Sequence, residues 1–328
     1  MVIKAILIIL CSLGITILSG LIFIPMQRKI KAGQPVYKYV ETHKSKNGTP
    51  TMGGLFFIVP SAIVYFIFCG FSYRLANFSI AIGLAFMFVG FLDDFLKIRR
   101  KDNEGLKPYQ KIIFQILIGL FAGFFALNNG VTLFFVPFSN ISVDLGGGTV
   151  IIVAVVLIAI TNSVNLTDGL DGLAGSVSAT YLVCLVGVIL LQINNLSSVY
   201  AMVEEYENLI FLSVTLIGGI LGFLLFNTSK ASVFMGDTGS LSLGGFIGAI
   251  SIFSSNGFLM PFIGIMFVIT SISVIIQVLH FKRTKKRIFL MAPLHHHFQL
   301  KGVSESKIAF VYSLITFVFG VLVMIPYV

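Results

Sequence analysis

Residues 75–101 read LANFSIAIGLAFMFVGFLDDFLKIRRK. The run Leu75–Leu92 is apolar for nearly the whole length that a helix needs to cross a bilayer, about 20 residues. It then stops on two adjacent acids, Asp93 and Asp94, with Lys97, Arg99, Arg100 and Lys101 close behind. Carboxylates at the edge of the hydrocarbon are costly to keep there and tend to mark sites. This stretch therefore predicts a membrane helix that carries chemistry where it leaves the lipid.

Nine further runs of the same kind flank it. In order, the ten are Ala5–Ile24, Met52–Cys69, Leu75–Leu92, Ile112–Leu127, Thr149–Ser163, Leu173–Leu191, Leu209–Phe226, Leu241–Phe253, Phe258–Leu279 and Ile308–Tyr327. The fifth and eighth are short. The first is too long for a secretory signal, and its basic residues follow it rather than precede it. The predicted fold class is all-α: a polytopic integral membrane protein of about ten transmembrane helices, organised as one catalytic domain over residues 1–328. Pro261 lies inside the ninth run and is expected to bend it, opening a groove beside it. Between the fourth and fifth runs, Val131–Val136 and Ile141–Leu145 suggest a small hairpin.

Composition agrees. The 328 residues are 57% hydrophobic and only 11% charged, with a mean hydropathy of +1.00. A soluble domain carries roughly 25% charged residues. The net charge of +9 comes from 22 Lys and Arg against 13 Asp and Glu. Twenty of those 22 cations fall in the loops after the first, third, seventh and ninth runs, and only Lys4 and Arg74 lie opposite. By the positive-inside rule those loops are cytoplasmic and both termini extracytoplasmic. Basic residues confined to short loops argue against nucleic-acid binding. Cys11, Cys69 and Cys184 each sit in an apolar stretch, with no disulfide or zinc spacing.

Five of the acids gather in the cytoplasmic loops. Beyond Asp93 and Asp94, Asp168 and Asp171 lie in NLTDGLDGL (165–173), and Asp237 lies in FMGDTGS (234–240). Such carboxylates suit a hard cation: Mg²⁺ takes oxygen ligands, typically one or two carboxylates plus phosphates and water. Adjacent Asp93 and Asp94 cannot point the same way on a helix, so one is expected to act and the other to orient it. Asp168 and Asp171 would share a face if their segment were helical. Phe234 is either simply lipid-facing or, in a cytoplasmic loop, able to stack on a nucleobase. The last large loop reads PLHHHF (293–298); its histidines suit phosphate better than zinc. Lys46, Lys97, Lys111 and Lys230 could serve phosphate as point charges. Neither a P-loop nor a dinucleotide fingerprint is present. These residues support a membrane enzyme or a transporter with a Mg²⁺-compatible carboxylate site; the absence of an internal repeat weighs against a transporter or flippase.

The motifs resemble, in order and over essentially the whole chain, those of the phospho-N-acetylmuramoyl-pentapeptide transferases, a branch of the polyprenyl-phosphate sugar-1-phosphate transferases. The resemblance rests on Pro50–Gly54, Asp93-Asp94 with Lys97, residues 165–173, residues 234–240, and PLHHHF followed by Leu300-Lys301-Gly302. The paired acids and the 165–173 loop are common to the wider superfamily, so a sister enzyme for UDP-N-acetylhexosamine is the nearest alternative. The histidine stretch resembles the muramoyl branch alone. Val303 departs from an aromatic residue expected there.

The resemblance implies Mg²⁺-dependent transfer of phospho-N-acetylmuramoyl-pentapeptide from UDP to undecaprenyl phosphate, giving lipid I and UMP, in a homodimer of the bacterial cytoplasmic membrane. It implies Asp237 as Mg²⁺ ligand, Asp93 and Asp94 beside the acceptor phosphate, and Lys111 and His296 as further catalytic groups. Asn165, Asp168, Asp171 and Phe234 fall to the nucleoside side. Lys46, Thr51, Lys97 and Asn227 would line the donor site, with His297 toward phosphate or sugar.

Overall fold

The computed structural model describes residues 1–29, 48–100, 105–139, 141–195, 200–228 and 230–327. Each predicted run becomes helix: α1 (Val2–Lys29), α2 (Gly54–Cys69), α3 (Arg74–Arg100), α4 (Pro108–Asn128), α5 (Thr149–Thr167), α6 (Leu173–Asn195), α7 (Tyr200–Asn227) and α8 (Gly236–Phe253). The ninth run is two helices, α9 (Met260–Ile263) and α10 (Ile265–Thr284). A short α11 (Leu294–Leu300) carries the histidines, and α12 (Glu305–Met324) follows. The predicted hairpin is present: β1 (Leu133–Phe135) pairs antiparallel with β2 (Ser142–Asp144), Phe134 opposite Val143.

Among the described residues, eight helices are long and apolar enough to cross a membrane: α1, α3, α4, α5, α6, α7, α10 and α12. The two shortfalls from ten have separate causes. α2 is apolar but only 16 residues long. α8 is 18 residues long and rich in Gly and Ser, and every residue from Thr238 to Phe253 is buried. A helix wrapped by protein rather than lipid gains from small residues that let neighbours close in.

Glycines set those distances. A Cβ on Gly90 of α3 would collide with the Asp237 backbone carbonyl, and one on Gly83 with the Phe246 ring. On the other sides of α8, Gly54 lies against the Gly239 backbone, and Gly244 against the Thr161 backbone of α5. Farther out, α1 runs parallel to α7. Gly218 faces the Ile9 backbone, Gly222 faces Thr16, and the Ser12 hydroxyl donates to the Thr215 carbonyl at 2.7 Å.

Successive helices alternate in direction, so the connections collect at two ends. At one end lie Asp93, Lys111, Asn165, Asn227 and Asp237. At the other, the Glu205 carboxylate accepts the Arg74 and Leu75 N–H groups at 3.1 and 3.0 Å, and the side chains of Gln192 and Asn256 pair reciprocally. The hairpin sits at this second end, where the Phe135 N–H donates to the Ser255 carbonyl at 3.1 Å. Both chain ends are there too: Lys4 lies over the Phe211 ring and Tyr327 against Phe135.

The break in the ninth run falls at Gly264, not at Pro261. Pro261 occupies the first turn of α9, where its missing N–H costs no helical hydrogen bond. Past the break, α10 exposes Ile272, Ile275, Ile276 and Leu279.

Gly90→Ala is expected to force α3 and α8 apart at Asp237 and to cost about 1–3 kcal/mol of stability. Thermal unfolding in detergent measures this, with Gly14→Ala, where an added methyl meets nothing within 4 Å, as the control expected to melt like the parent.

Candidate active site

The site is built where α3 meets the first turn of α8. Asp94 is 1% exposed. Its carboxylate accepts three hydrogen bonds from that turn: Asp237 N–H at 3.2 Å, Thr238 N–H at 2.9 Å and the Thr238 hydroxyl at 2.6 Å. The open first-turn N–H groups of a helix want an acceptor, and the helix dipole favours a negative one. Here it comes from another helix, and it fixes where Asp237 stands.

Asp93 faces a different set of donors. Its Oδ1 accepts the Leu106 N–H at 2.8 Å and lies 3.0 Å from Lys111 Nζ, while its Oδ2 lies 2.6 Å from Lys97 Nζ. Gly105 passes so close to this carboxylate that a side chain there would strike it. Asp237 Oδ2 accepts from both Lys97, at 3.2 Å, and Lys111, and its Oδ1 accepts from the Asn165 side-chain amide at 2.8 Å. The same amide nitrogen reaches Ser240 Oγ at 2.8 Å. Asp93, Asp94 and Asp237 offer oxygens within 4.8 Å of one another, a set able to hold a divalent cation. The donors fit a hard ion. The apolar run ends at Asp93 and Asp94, but helix α3 continues to Arg100, so Lys97 lies one turn on and reaches back to Asp93.

Around this centre the loops lace together. Phe234 N–H donates to the Pro50 carbonyl at 2.8 Å, and Gly53 N–H to the Phe234 carbonyl at 2.9 Å. Thr51 is thereby buried against Gly236 beside Asp94. Phe234 is half-buried. Residues 168–172 form turns rather than helix, so Asp168 and Asp171 do not share a helical face. Gly172 adopts φ +74°, which ends any helical continuation there. Asp171 Oδ2 instead accepts the Ala231 N–H at 3.0 Å. The Asn227 side chain, 4% exposed, accepts the Gly172 N–H and donates to the Val233 carbonyl, joining the two loops. Burial, and then the nearby carboxylates Asp237, Asp94 and Asp171, push the Asp168 carboxyl well above its usual range.

The three histidines diverge. His297 Nδ1 accepts the Leu290 N–H at 3.1 Å and so steadies the preceding loop, which Gln277 of α10 also holds. His296 Nδ1 pairs with Gln299 at 3.0 Å; Gln299 donates to Glu305, and Glu305 accepts the Asp171 N–H at 2.9 Å. His295 is fully buried, and its ring Nε2 lies tight against Gly169. Neither of its ring nitrogens has a hydrogen-bond partner among the described residues.

The comparisons fit this arrangement. Residues 76–255 match the glycosyl transferase family 4, and residues 46–58 match signature 1 of the phospho-N-acetylmuramoyl-pentapeptide-transferases. A phospho-N-acetylmuramoyl-pentapeptide-transferase of Caldanaerobacter subterraneus subsp. tengcongensis is 40% identical over 320 residues, 97% of each chain. Those of Clostridioides difficile and Clostridium perfringens strain 13 are each 41% identical, over 93% and 96% of this chain and 92% and 96% of their own. The chain belongs to the phospho-N-acetylmuramoyl-pentapeptide transferase family.

For this family member, the structure brings together Asp93, Asp94, Lys97, Lys111, Asn165 and Asp237, with Thr51, Asp168, Asp171, Asn227 and Phe234 around them. Asn165, placed by resemblance with the nucleoside, has its amide on Asp237. Lys46 lies outside the described residues. Thr238 and Glu305 were not singled out from sequence, and His295, read with its neighbours as a phosphate contact, is instead buried. Thr238 and His295 lie inside motifs already quoted, but neither spacing nor residue type announces a helix cap or a burial.

Asp94→Ala leaves the first turn of α8 without its acceptor. It is expected to lower stability by about 1–3 kcal/mol, read as a fall in melting temperature in detergent that Asp94→Asn restores only in part. The second expectation concerns pH. Burial, and then the neighbouring His296, push His295 down to about 3 from the usual 6.5. The unfolded chain therefore takes up a proton that the folded chain refuses. The stability from burying a neutral His295 is full above pH 6.5 and is lost as pH falls from there toward 3. Melting curves between pH 7.5 and 5 should show this loss in the parent and a smaller one in His295→Gln.

Proposed function

We propose that the chain transfers phospho-N-acetylmuramoyl-pentapeptide from its UDP carrier to undecaprenyl phosphate, releasing UMP and forming lipid I at the cytoplasmic face of the bacterial membrane. The observation that carries this reading is the cluster of Asp93, Asp237, Lys97 and Lys111, in a chain that aligns end to end with the transferases named above. The protein is read as crossing the membrane ten times, with α2 and α8 completing the count, α9 and α10 forming one crossing, and both termini outside. The basic residues ending α1, α3 and α10 support that orientation.

The acceptor phosphate is already an anionic nucleophile, so the protein has none to create. Its oxygen bonds to the phosphorus that bears the sugar, and the bond from that phosphorus to the UMP oxygen breaks. Asp93 receives any proton left on the acceptor. Lys97 and Lys111 neutralise charge on the phosphates, and positioning supplies much of the rest. Asp237 would be the main ligand for Mg²⁺, with Asp93 beside it. Bound there, the ion would screen the diphosphate and stabilise the leaving UMP. Phe234 stacks on uracil, with Asp168, Asp171 and Asn227 shaping the floor of the nucleoside site, and Thr51 and Lys46 along the donor. His296 and His297 belong to the segment that meets the phosphate or sugar. The prenyl tail lies along the exposed face of α10, and the working unit is a homodimer.

Purified protein supplied with UDP-N-acetylmuramoyl-pentapeptide, undecaprenyl phosphate and Mg²⁺ is expected to release UMP. Release should require the lipid and fall at least about a hundredfold in Asp237→Ala. Turnover with UDP-N-acetylglucosamine instead would assign the chain to the hexosamine branch.

A further inference from the structure

The two lysines occupy an unexpected place. Lys97 Nζ bridges Asp93 Oδ2 and Asp237 Oδ2, at 2.6 and 3.2 Å. Lys111 Nζ bridges Asp93 Oδ1, at 3.0 Å, and the same Asp237 Oδ2. Two ammonium groups thus share one carboxylate oxygen, between the two acids best placed to grip a cation. Asp94 is different. Both its oxygens accept from the α8 backbone or Thr238, so using either for a metal would mean giving up the helix cap. The oxygens that can change partner without unravelling α8 are those now held by Lys97 and Lys111.

We infer that Lys97 and Lys111 are resident counter-cations of Asp93 and Asp237 that yield Asp237 Oδ2 to a divalent cation and turn to the substrate phosphates. This rests on the reading of Asp237 as the metal ligand. Charge argues for exchange rather than addition. Three carboxylates face two ammoniums, leaving the cluster formally negative and hostile to a diphosphate. Two ammoniums and a divalent cation crowded on one oxygen would repel one another strongly at this burial. As the cation enters and the lysines turn outward, the site as a whole passes from net negative to net positive, and two freed ammoniums face the space where an anionic donor must sit. The lysines can move: both are long side chains on helix ends, 14% and 24% exposed, and among the described residues each is tied only to the carboxylates. The proposal makes metal binding and phosphate binding two halves of one event. In the absence of metal the same lysines keep the buried carboxylates from repelling each other.

The test is Mn²⁺ binding, followed by electron paramagnetic resonance in detergent without substrate, on the parent, Lys97→Met, Lys111→Met and Asp237→Ala. Removing a competing ammonium is expected to tighten Mn²⁺ binding by roughly tenfold. The same variants should melt lower than the parent in chelator and recover more on adding Mn²⁺. Weaker or unchanged binding in both lysine variants, with the parent still binding through Asp237, overturns the exchange and leaves the metal assignment standing. Parent binding that survives Asp237→Ala overturns the metal assignment itself. A second readout needs no variant: amine labelling of Lys111, quantified by mass spectrometry, should speed up severalfold when Mg²⁺ replaces chelator, and an unchanged rate counts against release of the lysine.

Discussion

The hydrogen bonds from the first turn of α8 to Asp94 set the geometry on which the rest of the site depends. A carboxylate buried at the end of a membrane bundle must find donors, and the start of a helix is short of acceptors. Each solves the other's problem. The consequence is positional: Asp237 follows directly from the capped turn, so its carboxylate is aimed at Asp93 by the backbone rather than by its own packing. Lys97 then reaches all three acids from one turn farther along α3, and Asn165 closes the opposite side.

Such closeness needs helices without bulk at the contact. Gly90 lets α8 start against α3, Gly54 and Gly239 let α2 join, and Gly169 admits the imidazole of His295. The same device operates at loop level, where Asn227 and the Pro50–Gly54 segment bond to backbone instead of filling space. Little of the site depends on a single loop. It is a knot of several segments tied to one another largely by hydrogen bonds to backbone, which suits a reaction governed by where charges stand.

Much of this was legible in the sequence. Each apolar run is a helix, because a lipid-facing span must be apolar along nearly all its length and so announces itself. The hairpin was legible from its two β-prone runs. Legibility failed where the environment was protein rather than lipid. α8 was read only from Leu241, because the Gly, Asp and Ser of its first turn do not look like an apolar span, and the helix break at Gly264 was assigned to the more conspicuous Pro261. The acids were legible as a group, since five carboxylates at loop edges demand explanation. Their division of labour was not. That Asp94 caps while Asp93 meets lysines depends on which helix end lies opposite, a fact of tertiary packing. The turn at residues 168–172 parted two aspartates that helical spacing would have aligned, and the burial of His295 could not be read from three identical neighbours.

The burial of α8 on every side also bears on how the protein is made. Its neighbours can enter the bilayer on their own apolarity, as an insertion machinery judges segments one at a time. α8, with an acid near its start and Gly and Ser along its length, has far less claim to lipid and is kept in place by α2, α3 and α5. Asp237 therefore stands on a segment that is at home only within an assembled bundle. A chain that mispacks α3 loses the carboxylate that holds the first turn of α8. The position of Asp237 is thus a product of the assembled bundle rather than of α8 alone.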